Sequence, residues 1–258
     1  MNQAVAARRV CVITGSSSGV GAAAALLFAQ NGYDVVVHGA RRMDAAEAVA
    51  ARCREAGAGV LVVQADVADD VACRRLGDAV RERWGHVDAL VNSAGMTTKF
   101  ADPKDLEALA LEDFEKTYRV NVVGPFQVCR ALVPLMAGRA NTSIVNISSM
   151  AAVMGAGSSM AYAASKGALN TLTLGLARAL APAIRVNAIM PGLIDGEWMR
   201  GALGPAFDAR RQRYASRALL QDVLMPQDVA RAAFGLVNDA VKTTGQLVQL
   251  DAGFQLGG

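Results

Sequence analysis

The sequence predicts an α/β chain built on a doubly wound parallel sheet of seven strands with helices on both faces. Three observations predict it. Short, unbroken apolar runs alternate with amphipathic stretches along nearly the whole chain; a glycine-rich turn joins the first run to the first helical stretch; and no linker, repeat or low-complexity tract divides the 258 residues. Unbroken apolar strands belong to parallel sheets covered on both faces, where alternate side chains have no wet side to meet. Apolar residues make up 53% of the chain and charged residues 19%, enough for a sizeable core and unlike a disordered chain. The simplest organisation is one domain over residues 1–258.

The elements follow in order. Residues 10–14 read as a buried strand, with a glycine turn and a helix over 21–31 after it. "DVVVH" at 34–38 is a second strand and 44–56 a second helix; "GVLVVQA" at 59–65 is a third strand, with helix again over 71–84. "ALVN" at 89–92 is the fourth strand, and helical stretches cover 106–118 and 120–136. "SIVNI" at 143–147, "RVNAIM" at 185–190 and "QLVQL" at 246–250 complete the sheet. Residues 192–222 break the pattern. They are irregular, then rich in arginine, which marks a candidate lid or substrate loop.

Several function classes are excluded. The net charge is +3, too small and too dispersed to point to nucleic acid. No apolar run approaches the ~20 residues of a membrane span. The opening "MNQAVAARRVCVITG" runs straight into a strand and reads as a short tail, not a signal peptide. Cys11, Cys53, Cys73 and Cys129 form no CxxC pair, which suits buried free thiols in a reducing cytoplasm. The only histidines, His38 and His86, lie far apart, so neither a histidine metal site nor a Ser-His-Asp triad is expected.

The glycine turn, "VCVITGSSSGVGAAAALLFAQNG", carries Thr14-Gly15-x-x-x-Gly19-x-Gly21 between a strand and a helix. Glycines let the backbone turn tightly beside a pyrophosphate, and the helix N-terminus offers free N–H groups to it. Gly15, Ser17, Ser18, Gly19, Val20 and Gly21 are therefore candidate contacts to a dinucleotide, which makes the sheet Rossmann-type. The spacing resembles the TGxxxGxG of the short-chain dehydrogenase/reductase family, and the resemblance runs from about Arg9 to Gly253.

The second strand ends His38-Gly39-Ala40-Arg41-Arg42, without the carboxylate that would hold a ribose 2′-hydroxyl; Asp34 sits at the wrong end and Asp44 is already entering the helix. A guanidinium suits a 2′-phosphate, so NADP(H) is favoured over NAD(H), with Arg41 first and Arg42 second as its partner. By resemblance, Asp66 and Val67 match an adenine-contacting pair. Asn92-Ser93-Ala94-Gly95 resembles the family's NNAG, which implies cofactor contacts from Asn92, Ala94 and Gly95 and a role in stabilising the sheet end.

"YAASK" sets Tyr162 and Lys166 one helical repeat apart on one face. With Ser149 thirteen positions before Tyr162, and Asn121 in "RVNVVGPF", the set resembles the family's catalytic Asn, Ser and YxxxK; Ser148 is disfavoured by spacing. A phenol with a pKa near ~10 is a poor base at neutral pH, and lowering it three units takes about 4 kcal/mol. A cation about 4–5 Å away supplies about 3–4 kcal/mol at an effective dielectric of ~20. Lys166 with an oxidised nicotinamide would meet that need. The resemblance implies that Lys166 also holds the nicotinamide ribose, that Ser149 holds the substrate oxygen, and that Asn121 positions a water linking Lys166 to solvent. Pro191, Gly192 and Ile194 in "VNAIMPGLIDGEWM" resemble the loop beside the nicotinamide, but Gly196 stands where a threonine is frequent. "TTGQLVQLDAGF" resembles the family's last strand, with Ala252 for a glycine, and implies a homo-oligomer, dimer or tetramer.

The implied activity is NADPH-dependent reduction of a small ketone or 3-oxoacyl group to a secondary alcohol. The alternatives are an NAD-linked sugar or steroid alcohol dehydrogenase and a catalytically silent nucleotide-binding regulator. Met199, Leu203, Phe207 and Tyr214 are expected to offer apolar substrate contacts, with Met150, Val153, Met154 and Met160 near the serine and tyrosine. Arg200, Arg210, Arg211, Arg213 and Arg217 form either an anion-binding face or a solvated one.

Overall fold

A computed structural model describes residues 8–257; most of the expected N-terminal tail lies outside the described residues. The elements run β1 (Arg9–Thr14), α1 (Gly19–Gln30), β2 (Tyr33–Gly39), α2 (Met43–Glu55), β3 (Val60–Gln64), α3 (Asp70–Trp84), β4 (Ala89–Asn92), α4 (Leu111–Tyr118), α5 (Gly124–Met136), β5 (Thr142–Ile147), α6 (Ala151–Met154), α7 (Met160–Leu180), β6 (Ile184–Pro191), α8 (Glu197–Leu203), α9 (Ala206–Arg217), α10 (Pro226–Asn238) and β7 (Leu247–Leu250). The seven strands form one sheet in the order β3-β2-β1-β4-β5-β6-β7, and every pairing is parallel.

The period of two explains why the strands read as unbroken apolar runs. Cys11, Ile13, Val35, Val37 and Val91 pack on one face under α1, α2 and α10. Their neighbours Val12, Val36, Leu90, Ile144 and Val186 pack on the other face under α3, α5 and α7. Both faces are dry, so both sets are apolar. All four cysteines are buried free thiols, and burial pushes the thiols up, Cys73 and Cys129 to about 12. No described helix is long and apolar enough to cross a membrane.

The strand order reverses between β1 and β4. At such a switch point the connections leave in opposite directions and open a crevice at the C-terminal strand ends. Thr14, Asn92 and Asn146 pair in one register row at that edge. Two predicted elements differ in detail. The stretch expected as one helix over 106–118 is a short 3₁₀ turn at Leu106–Ala108 followed by α4, because Ala110 is extended with φ −94° and ψ 168°. Between α4 and α5 the ladder widens into a π-turn over Arg119–Val123, which holds Asn121.

Candidate active site

The glycine turn is shaped by contact at one end and openness at the other. A Cβ on Gly15 (φ +65°) would stand 2.8 Å from the Cα of Ala94, and one on Gly21 would stand 2.4 Å from the Gly15 carbonyl oxygen. Gly19 (φ +55°) has nothing within 4 Å of that position. α1 begins there. Its N-cap, Ser18, makes no side-chain capping bond, and no acid occupies the first turn. The helix thus presents uncapped N–H groups and an uncompensated positive dipole end to the crevice, beside Ser17 and Val20. These residues fit the pyrophosphate of a dinucleotide.

Two buried side chains, Thr14 and His38, hold this turn. The Thr14 hydroxyl accepts from the N–H groups of both Ser93 and Ala94, at 3.1 Å each, which ties the β4 turn to the glycine turn. His38 Nδ1 accepts the Gly15 N–H at 2.9 Å, while the His38 backbone N–H donates to the Ser16 hydroxyl at 2.8 Å. Burial holds the His38 pKa below its ordinary value, so the neutral ring keeps that lone pair free to accept. His38→Leu is expected to cost about 1–3 kcal/mol of stability by stranding the Gly15 N–H. Urea unfolding measures it, with His38→Asn, which keeps an acceptor, expected to lose less.

Arg41 and Arg42 are exposed at the end of β2 and form no ion pair among the described residues. Asp34 is spent at the opposite end of that strand, on Arg8 at 3.0 Å and the Gly59 N–H at 2.8 Å. Asp66 is exposed, and one oxygen accepts from Ala68 N. Val67 is buried; a Cβ on Gly124 would meet it at 2.7 Å. Asn92 turns inward and donates to Asn146 Oδ1 at 2.9 Å, so its side chain braces the sheet, and Ala94 and Gly95 form the turn beside the glycines.

Asn121, Ser149, Tyr162 and Lys166 converge across the crevice. Ser159 is the N-cap of α7, and its hydroxyl accepts the Tyr162 N–H at 3.1 Å, which fixes Tyr162 in the first helical turn. Ser148, buried, donates to the Lys166 carbonyl at 3.2 Å; Ser149 is less buried and faces Tyr162, as the strand alternation requires. Lys166 is almost fully buried and donates to the Ile147 carbonyl at 2.7 Å. A Cβ on Gly95 would lie 3.5 Å from both the Lys166 Nζ and the Asn121 Oδ1.

Two features of the folded site bear on the expected proton chemistry. Burial pushes the Tyr162 phenol above its ordinary range, and a hydrogen bond from Ser149 pulls it down only in part. The Lys166 Nζ lies 5.7 Å from the Tyr162 ring centre, and burial brings its own pKa to about 8. Burial therefore favours the protonated phenol in the folded chain. Second, the Asn121 side chain is spent on protein: Oδ1 accepts from Met96 N at 2.8 Å, and Nδ2 donates to Met96 O and Ser165 Oγ at 2.9 Å each. Ser165 in turn donates to the Tyr162 carbonyl at 2.7 Å. Asn121 braces the loop after β4 against the Tyr162 helix.

The segment 192–222 differs from expectation in what its side chains do. Phe207 is fully buried, and Met199, Leu203 and Tyr214 pack against the small core it shares with Leu193 and Val223. Together they build the core of the segment itself. A Cβ on Gly192 would overlap the Tyr214 hydroxyl at 2.0 Å, so glycine lets Tyr214 close over the end of β6. Pro191 accepts from Met150 N at 2.9 Å, and Ile194 bridges to Leu224. Arg200 grips Asp195 with two bonds of 2.6 and 2.8 Å, and Arg211 reaches Asp195 at 3.2 Å and Asp222 at 3.4 Å. Those two guanidiniums are spent on local carboxylates.

The family model for short chain dehydrogenases matches residues 9–204. The chain belongs to that family. It is 40% identical over 249 residues, 96% of each chain, to a ketoacyl reductase assigned to the granaticin polyketide synthase of Streptomyces violaceoruber. It is 32% identical to the 3-oxoacyl-[acyl-carrier-protein] reductase of Thermotoga maritima, over 95% of this chain and 97% of that one. A crystal structure assigned to the short-chain dehydrogenases/reductases, from Burkholderia xenovorans, superposes with a TM-score of 0.90 at 44% identity, covering 98% of this chain and 100% of that one. As a short-chain dehydrogenase the protein is an NAD(P)-dependent oxidoreductase, and its all-parallel seven-stranded sheet is the family's fold.

Proposed function

We propose that the protein reduces a ketone or 3-oxoacyl carbonyl to a secondary alcohol with NADPH, using Tyr162 as the general acid. The observation that carries this is the Tyr162 phenol beside the buried Lys166, whose Nζ lies 5.7 Å from the tyrosine ring centre, with burial favouring the protonated phenol. A neutral phenol is a proton donor, which reduction needs; oxidation would need its conjugate base. When bound, the nicotinamide supplies a hydride to the carbonyl carbon, and the C=O π pair moves to oxygen. Tyr162 gives that oxygen its phenolic proton, so a secondary alcohol forms and a phenolate remains. Ser149 donates a hydrogen bond to the same oxygen as charge develops there. Lys166 stabilises the phenolate and returns a proton to it, and it regains its own from solvent. Asn121 acts as a positioning residue through Met96 and Ser165.

Residues 192–222 form the substrate side of the crevice in this reading, and the chain as a whole acts as one catalytic domain. Exposed Leu219, Leu220 and Leu256, close to the last strand, support a homo-oligomer. The free, exposed Arg41, with Arg42 beside it, supports NADPH over NADH through a charge-assisted contact to the 2′-phosphate. Arg41→Ala is expected to weaken NADPH by about ten- to a hundredfold, the loss of one charge-assisted pair, and NADH far less. Fluorescence titration with both nucleotides measures this; equal losses would reject the preference. The activity itself is tested by following oxidation of NADPH and NADH with a panel of ketones and 3-oxoacyl thioesters. Absence of turnover with every carbonyl would reject it.

A further inference from the structure

Three aromatic rings run in series along one wall of the crevice. The Tyr162 ring centre lies 6.3 Å from that of Trp198, at an interplanar angle of 41°. Trp198 lies 6.1 Å from Phe100, at 47°. Trp198 comes from α8 and Phe100 from the loop after β4, so the wall joins elements distant in sequence. The indole is 51% exposed although it is a large apolar side chain beside the candidate catalytic group. Its N–H has no acceptor among the described residues. Met160, also exposed, lines a cavity with Ala101, the neighbour of Phe100, and offers adaptable apolar surface.

The helix that carries the indole is anchored. Arg200, two positions on, is locked to Asp195 by its paired bonds and lies over the Phe207 ring at 4.7 Å. A fixed aromatic face loses little conformational freedom when a ligand stacks on it. Charge argues in the same direction. Arg200 and Arg211 are neutralised by Asp195, Asp208 and Asp222, so neither is free to receive a phosphate-bearing carrier.

We propose that Trp198 is a specificity-determining residue, and that the carbonyl reduced here sits in or on an uncharged ring that stacks on its indole. The proposal rests on the carbonyl-reduction reading above. A ring lying along the Trp198–Phe100 wall places its carbonyl oxygen toward the Tyr162 hydroxyl, whereas a linear chain of equal carbon number covers less of the indole and loses more freedom on binding.

The test compares 2-tetralone with 2-decanone, which has the same number of carbons, using NADPH-loaded wild-type, Trp198→Phe and Trp198→Ala enzymes. The wild type is expected to favour the ring ketone in kcat/KM by about tenfold or more, the order of one aromatic contact plus its buried area. Trp198→Ala is expected to lose that preference and Trp198→Phe to keep most of it. The NADPH dissociation constant reports retention of the fold in each variant. Calorimetric titration of the NADP⁺-loaded enzyme with 2-tetralone separates stacking from turnover, and its binding should weaken in parallel. No turnover of either ketone while another carbonyl of the panel is reduced rejects the proposal alone, and no turnover of any carbonyl with NADPH or NADH rejects the reduction reading and this proposal with it. Turnover of both without a ring preference, or a preference unchanged in Trp198→Ala, rejects the proposal alone.

Discussion

Tyr162→Phe is expected to lower kcat/KM for ketone reduction by about a thousandfold, within the range that a positioned general acid contributes. The substitution removes one oxygen and keeps the ring. The contacts to Trp198 and to the Lys166 ammonium survive, and the Ser159 cap on residue 162 is a backbone contact that no side chain can remove. The nucleotide dissociation constant should therefore stay near that of the wild type. Ser149 cannot take over, because an alkyl hydroxyl is a far weaker acid than a phenol. It would keep its acceptor bond from Ala151 N at 3.1 Å and still polarise the carbonyl. Residual activity should come from that polarisation and from alignment, and should lose its dependence on an ionising acid. Steady-state kinetics across pH measures both features. Near-wild-type turnover would remove Tyr162 from the chemistry.

Lys166→Met is expected to remove most turnover, by about a hundredfold or more, and to make the nucleotide-free protein more stable at neutral pH. The loss of rate follows from losing the charge beside the phenolate. The gain in stability follows from desolvation. Burial brings the Lys166 pKa from 10.5 to about 8, so the fold disfavours the charged form by about 3 kcal/mol. Loss of the bond to the Ile147 carbonyl offsets about 1 kcal/mol of the gain. The sign with pH is fixed by linkage. The folded pKa lies below the unfolded one, so the penalty is fully present below about pH 8 and disappears as pH rises toward 10.5. The variant should lead the wild type at neutral pH and lose that lead in the alkaline range. Urea unfolding at the two ends of the window measures it; a lead that did not shrink with pH would contradict the burial account. The same titration predicts that reduction by the wild type declines as pH rises past about 8.

The sheet was legible in the sequence because its signal is local. Strands dry on both faces appear as unbroken apolar runs, and the Gly15–Gly21 turn announces the crevice by its spacing. Asn121, Ser149, Tyr162 and Lys166 were legible because each sits at a fixed offset in a recurring pattern, and the fold brings them together. What was not legible depends on contacts between distant segments. His38 looked like a lone histidine, yet it accepts a bond from Gly15 across β1 and β2. Phe100 and Trp198 are 98 positions apart by their numbers and meet only because α8 folds back over the loop after β4. Ser159 could have been found, since a serine three residues ahead of Tyr162 is an N-cap signal. The burial that raises the phenol's pKa was not legible, because Coulomb attraction can be reckoned from spacing whereas desolvation is a property of the folded interior. Ala252, which stands where the family pattern has glycine, adopts φ 57°, a backbone region the sequence had no means to reveal.

Isotope effects on a single turnover test the central claim most directly. Enzyme loaded with deuterated or ordinary NADPH is mixed with a turned-over ketone in H₂O or D₂O, and loss of the reduced nicotinamide is followed in time. If Tyr162 protonates the oxygen as hydride arrives, deuterium in the nicotinamide and deuterium in the solvent should each slow the same step, and Tyr162→Phe should abolish the solvent effect on a residual slow rate. A nicotinamide effect accompanied by no solvent effect, or a solvent effect retained in Tyr162→Phe, would show that the proton comes from elsewhere.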